Sequence, residues 1–144
     1  MSEPFKTPPR PPEIMSGLRI RRRTPFGHLY MTITIDMKTE REVEIFSHLG
    51  KCGEMVSADT EGMCRLASMY LRAGGGIRDV VKQLKGIGTH FGSSAQAVSV
   101  PDCIGSAVQY YLEAKKKYGI RALILGEVQL DEPEEVETGG GGKL

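Results

Sequence analysis

Residues 28–36, HLYMTITID, alternate without a break. Leu29, Met31, Ile33 and Ile35 fall on one side, and Tyr30, Thr32 and Thr34 on the other. Successive strand side chains point to opposite faces, so this stretch predicts a strand with one face buried and one face wet. The polar connection DMKTER has hairpin length. EVEIF follows it and puts Val43 and Ile45 on one face of a second strand. Ahead of both, GLRIRRR alternates weakly at Leu18 and Ile20 and predicts a third strand.

The period then changes from 2 to 3.6. Met63, Leu66, Ala67, Tyr70 and Leu71 follow helical spacing, and Gly74 to Gly76 end that helix. Ile77, Val80, Val81 and Leu84 give a second, short helix stopped by Gly86. Ile104, Ala107, Val108, Tyr111 and Leu112 give a third. RALILGEV (residues 121–128) reads as a closing strand. There is no internal repeat. Strands followed by helices predict an α+β fold, an antiparallel hairpin-led sheet with about three helices packed on one face.

The chain has 144 residues with 40% hydrophobic and 26% charged, which suits one domain with a packed core. Five of eight prolines lie in residues 1–16, which are expected to form a flexible arm. Residues 17–128 are expected to fold. The acidic, then glycine-rich residues 129–144 are expected to be disordered. A net charge of +1 points to no particular polyanion or membrane. No run reaches the ~18 apolar residues of a span, and the start lacks a signal-peptide stretch, so a cytoplasmic location is expected. The initial Met and the polar ends fit a complete chain. Cys52, Cys64 and Cys103 are widely spaced with no CxxC, as expected of free thiols.

The most informative stretch is VSVPDCIGSA, residues 98–107. Ser99-x-x-Asp102 ahead of a helical run fits a capping box, with Ser99 accepting from the Asp102 amide and Asp102 reaching back. Pro101 in the first turn loses no hydrogen bond. Asp102 suits the positive end of the helix dipole, and Lys115, Lys116 and Lys117 suit the other end, with Gly119 beyond them. The same geometry also allows an anion at the helix N-terminus, and places Cys103 where the dipole lowers a thiol pKa. Cys103 is therefore the reactive-thiol candidate, although no His or carboxylate is placed by sequence to act as its base.

Four blocks occur in order: TPFGHLYMTITID, EVEIFSHLGKCG, GMCRLASMYLRAGGGIRDVVKQLKGIG and SVPDCIGSAVQYYL. Together they resemble the TSCPD domain over residues 17–119. That domain is found near the C-terminus of class II, adenosylcobalamin-dependent ribonucleotide reductases and as small separate proteins. The family is named for Thr-Ser-Cys-Pro-Asp. Here Val98 stands for the Thr and Val100 for the Cys, while Ser99, Pro101 and Asp102 match. Many relatives also carry a cysteine in the early Gly-turn, where this chain has Phe26 within Thr24-Pro25-Phe26-Gly27. Both family cysteines are apolar here, and a Phe26–Val100 contact is the expected substitute.

The resemblance implies an accessory or regulatory binding module tied to deoxyribonucleotide synthesis. It does not imply catalysis by this chain alone. The family's ribonucleoside-diphosphate reductase activity needs a large barrel holding the radical site and the cobalamin, and this chain is too short to contain one. No cofactor is expected on the chain itself; adenosylcobalamin would belong to a partner reductase. The tail also lacks the paired cysteines used for re-reduction. Implied partners are a reductase large chain, a nucleotide or nucleic acid, or a second copy of the chain. Gly27, Ser99, Pro101 and Asp102 form the motif surface.

Arg19, Arg21, Arg22 and Arg23 form a basic cluster. On a strand, Arg19, Arg21 and Arg23 share the face opposite Leu18 and Ile20. The cluster suits phosphate contacts, with Arg21, Arg22 and Arg23 as the anion-binding candidates, or the protection of an exposed sheet edge. Glu127, Asp131, Glu132, Glu134, Glu135 and Glu137 carry the opposite charge and could cover them. RAGGGIRD lacks the Lys-Ser/Thr of a phosphate loop and reads as a helix stop. Cys52, His90 and Cys103 lack the close ligand pairs of a zinc site, so no metal is expected.

Overall fold

The computed structural model describes residues 4, 6–50, 53–88 and 99–130. Three strands form one antiparallel sheet in the order β1 (Ser16–Thr24), β2 (Gly27–Asp36) and β3 (Arg41–Leu49). Four helices follow: α1 (Glu54–Arg72), α2 (Ile77–Leu84), α3 (Val100–Tyr118) and α4 (Ile120–Ile124). The fold is α+β and hairpin-led, as the alternation and the change of period predict.

The alternation of β2 is used in full. Leu29, Met31, Ile33 and Ile35 are all within 1% of complete burial. They pack with Ile20 and Ile45 of the sheet, Val80 and Val81 of α2, and Ile104, Ala107, Val108 and Tyr111 of α3. The β1–β2 turn is tight because Thr24 Oγ1 donates to the Gly27 carbonyl at 2.6 Å and accepts from the Phe26 amide at 3.1 Å. Gly27 has φ 102°, where a side chain would be strained.

β3 departs from the expected facing. A register shift between Thr34 and Ile35 pairs Ile35 with Glu42 and Thr34 with Glu44, leaving Val43 as the extra residue. Glu42, not Val43, therefore takes the slot under the sheet and is 8% exposed. Its Oε1 accepts from Tyr111 Oη at 2.7 Å and from Lys115 Nζ at 2.8 Å, tying the hairpin to α3. Burial alone would raise the Glu42 carboxyl. The Lys115 and Tyr111 hydrogen bonds outweigh it and hold its pKa below the ordinary value.

α1 buries a stripe shifted from the one its large apolar residues suggest, sharing only Leu71 with it. The buried positions are Thr60, Cys64, Ser68 and Leu71. Small residues let the helix come close to β3, an edge strand. Ser68 Oγ accepts from the Ile45 amide and donates to the Ile45 carbonyl, both at 3.0 Å. The Cys64 thiol meets Ser47 Oγ at 3.2 Å. The outer edge of β3 is thus closed by a helix, one way proteins block strand addition.

RAGGGIRD is the expected stop: α1 ends at Arg72, Gly74 has φ 105°, and α2 starts at Ile77. RALILGEV is not a strand. Gly119 (φ 84°) ends α3, and the next residues re-enter a helix, α4. Ile120, Leu123 and Ile124 sit at i, i+3 and i+4, so a helical turn buries Ile120 to 3% exposure against the core. Residues 9–12 border a cleft of about 590 Å³ with Met37, Lys38, Arg41 and Leu71. The tail carboxylates from Asp131 onward, Cys52 and His90 lie outside the described residues.

Candidate functional site

The motif residues converge on the junction between α2 and α3. Ser99 is the N-cap of α3, and its Oγ accepts from the Asp102 amide at 3.2 Å. The same hydroxyl donates to the Ile87 carbonyl at 2.7 Å. Asp102 is 5% exposed, and its Oδ1 accepts from the Gly86 amide at 2.7 Å. Ser99 and Asp102 therefore hold the turn after α2, where Gly86 and Gly88 both have positive φ. Pro101 stands in the first turn, where it needs no amide. Gly105, one turn further on, lies directly against α2's end: a Cβ there would sit 2.6 Å from the Lys85 nitrogen. Hydroxyl, carboxylate and missing side chain together form a clasp between two helices.

Cys103 closes the same corner from beneath. It is 2% exposed and lies beside Thr24, which brings the Thr24–Gly27 turn near the start of α3. Burial pushes the thiol pKa up. The Thr24 contact opposes this, and the Asp102 charge adds to it. Phe26 remains 43% exposed, while Val100 packs against the core. Cys64 is buried with its pKa likewise raised by burial.

The arginine cluster divides as strand geometry requires. Arg19, Arg21 and Arg23 are exposed on the outer face of β1. Arg22 points the other way and lies over the Tyr110 ring of α3, 4.0 Å from its centroid. On the outer face, Arg21 pairs with Tyr30, which pairs with His48. Arg19 lies over Tyr30 at 5.4 Å, and Tyr30 stacks on His48 with centroids 5.2 Å apart and planes 19° apart.

A second surface comes from the large apolar residues of α1. Met63, Leu66, Ala67 and Tyr70 face Val80 and Leu84 of α2 across an open groove of about 430 Å³. Leu66 is 66% exposed and Tyr70 42% exposed. Tyr70 Oη donates to Asp79 Oδ2 at 2.7 Å at the rim. Helical periodicity assigns Met63, Leu66, Ala67, Tyr70 and Leu71 to the core; Leu71 is buried and Met63 and Ala67 pack against the core, but Leu66 and Tyr70 lie on the surface. Periodicity alone marked the stripe but not its surplus, because the short α2 is too small to cover it.

Among the described residues, no three His, Cys, Asp or Glu side chains are grouped to hold a metal ion. No helix among them is long and apolar enough to cross a membrane. The hairpin-led sheet, the edge-closing α1 and the α2–α3 clasp define a small α+β domain with its signature motif at a helix start. A family model of the TSCPD domain matches residues 6–112, and the chain belongs to that family, whose domain is found in ribonucleotide reductase contexts. No curated protein and no solved structure matches the chain.

Proposed function

We propose that the chain is a non-catalytic accessory module of ribonucleotide reductase, a stand-alone counterpart of the domain at the C-terminus of the adenosylcobalamin-dependent enzyme. It works by docking on a reductase large chain through the α1–α2 groove. The observation that carries this is the apolar wall of the groove, where Leu66 and Tyr70 are exposed beside the partly buried Met63. A contiguous apolar surface rimmed by polar groups marks a protein contact more often than it serves folding. The family's ribonucleotide reductase context supports a reductase chain as the partner of this proposal. In this reading the cobalamin and the radical chemistry belong to the partner, and this chain contributes surface alone.

The motif supports the same division of labour. Ser99 and Asp102 bond to Ile87 and Gly86, so they shape the corner that joins α2 to α3. Cys103, buried with its pKa raised, lacks the thiolate character of a nucleophile. The test is ribonucleotide turnover by the reductase large chain of the same source, with and without this protein. A change in turnover or in its nucleotide response on addition, and none from this protein alone, supports the proposal. Turnover by this protein alone overturns it.

A further inference from the structure

We propose that the outer face of the sheet is a binding platform for single-stranded nucleic acid. The helices occupy the other side, leaving this face open to solvent at Arg19, Arg21, Arg23, Thr32, Phe46 and His48. Strand register arranges its side chains in rows. One row is Arg19, Thr32 and Phe46; the next is Arg21, Tyr30 and His48; in the third, Arg23 pairs with His28. Each row runs from a cation on β1 to a ring on β2, on β3 or on both, and none of these positions holds an acid. Neither Arg19 nor Arg21 makes an ion pair among the described residues. The acidic side chains Asp36 and Glu44 lie toward the hairpin end, where Glu44 is paired with Arg72 of α1.

Charge and ring placement match one ligand chemistry. A single strand offers phosphates along one side and unpaired bases along the other. Rows two residues apart on a strand are separated by roughly 6.8 Å, a spacing that lets successive nucleotides address successive rows. Arginines along β1 would take the phosphates. Bases would stack on Phe46, 40% exposed, and on the exposed His48 ring, which Tyr30 backs from behind. The Arg19–Tyr30–His48 stack is already in place, so little order must be imposed on binding. A duplex hides its base faces and would meet only the cations. This platform is separate from the α1–α2 groove and does not depend on docking to a reductase.

The experiment is fluorescence anisotropy of a labelled ten-nucleotide oligothymidylate with the full chain across 50–300 mM salt, beside a duplex of the same length. Expected is saturable single-strand binding with a log–log salt slope of about −1.4 to −2.1, for two or three phosphates at about 0.7 each. Phe46→Ala should weaken it at least about fivefold, the lower end for removing one stacking ring. A Arg19→Ala/Arg21→Ala double variant should reduce the slope by about 1.4, two phosphates' worth. Circular dichroism melts should match wild type for both variants. No binding at 50 mM salt, equal binding of the duplex, or an unchanged affinity for Phe46→Ala would each overturn the proposal. So would sedimentation showing that the wild-type chain self-associates through this face and that Phe46→Ala separates the copies.

Discussion

Replacing Asp102 with alanine should unlatch α2 from α3. The carboxylate is 5% exposed and accepts from the Gly86 amide at 2.7 Å, a short, charge-assisted bond. Bonds to charged groups contribute about 1.5–3 kcal/mol. The turn at Gly86 is exposed, so water can replace part of what its amide loses, which favours the lower half of that range. Loss of a carboxylate from the first turn removes a further few tenths through the helix dipole. A net cost of about 2 kcal/mol follows, or about 8 °C in Tm at about 4 °C per kcal/mol for a domain of this size. Asp102→Asn keeps an acceptor oxygen and should lose about half as much. The assay is thermal unfolding by circular dichroism, with hydrogen exchange at the Gly86 amide as the local readout. An Asp102→Ala protein that melts within about 2 °C of wild type, with Gly86 exchange unchanged, would refute the clasp.

Gly105→Ala should destabilise by about 1 kcal/mol in urea denaturation, because overpacking against the Lys85 backbone costs about 1–3 kcal/mol and the gain in helix propensity returns about 1. A stabilised Gly105→Ala would mean that the helices are not in contact there. Glu42, with its pKa held below the ordinary value, contributes stability that is complete above about pH 4.5 and is lost as pH falls through its folded value. Glu42→Gln should therefore lose stability at pH 7 yet flatten the acid limb of the pH–stability curve; an unchanged acid limb would contradict this. Cys103 should resist iodoacetamide at pH 8 in the native protein and react in denaturant, since burial keeps the thiol protonated and covered. Rapid native labelling of Cys103, followed by mass spectrometry, would contradict that placement.

Much of this fold is legible in the sequence because its signals are local. The two-residue period of residues 28–36 identifies the central strand, and its four inward residues are the most buried part of the sheet. Ser99 as N-cap and Gly119 as the helix stop are equally local, and both hold. Arg22 parts from its neighbours for the same reason, since alternation alone turns it inward. What escaped depends on partners distant in sequence. The β3 bulge that buries Glu42 is decided by Tyr111 and Lys115, some seventy residues away. α1 turns its small residues inward because β3 offers an unpaired backbone edge, which no helical periodicity encodes. α4 escaped because a short apolar run supports a strand and a helical turn alike, and Gly119's geometry decides between them.

The docking role rests on Leu66 being exposed for use rather than by default. Calorimetric titration of the reductase large chain with wild-type protein and with Leu66→Arg measures this directly. Saturable binding by the wild type, weakened about thirtyfold in Leu66→Arg with an unaltered melting temperature, is the expected result, the size of one interface hot spot of about 2 kcal/mol. Equal affinities for the two proteins, or no heat of binding from the wild type, would contradict it.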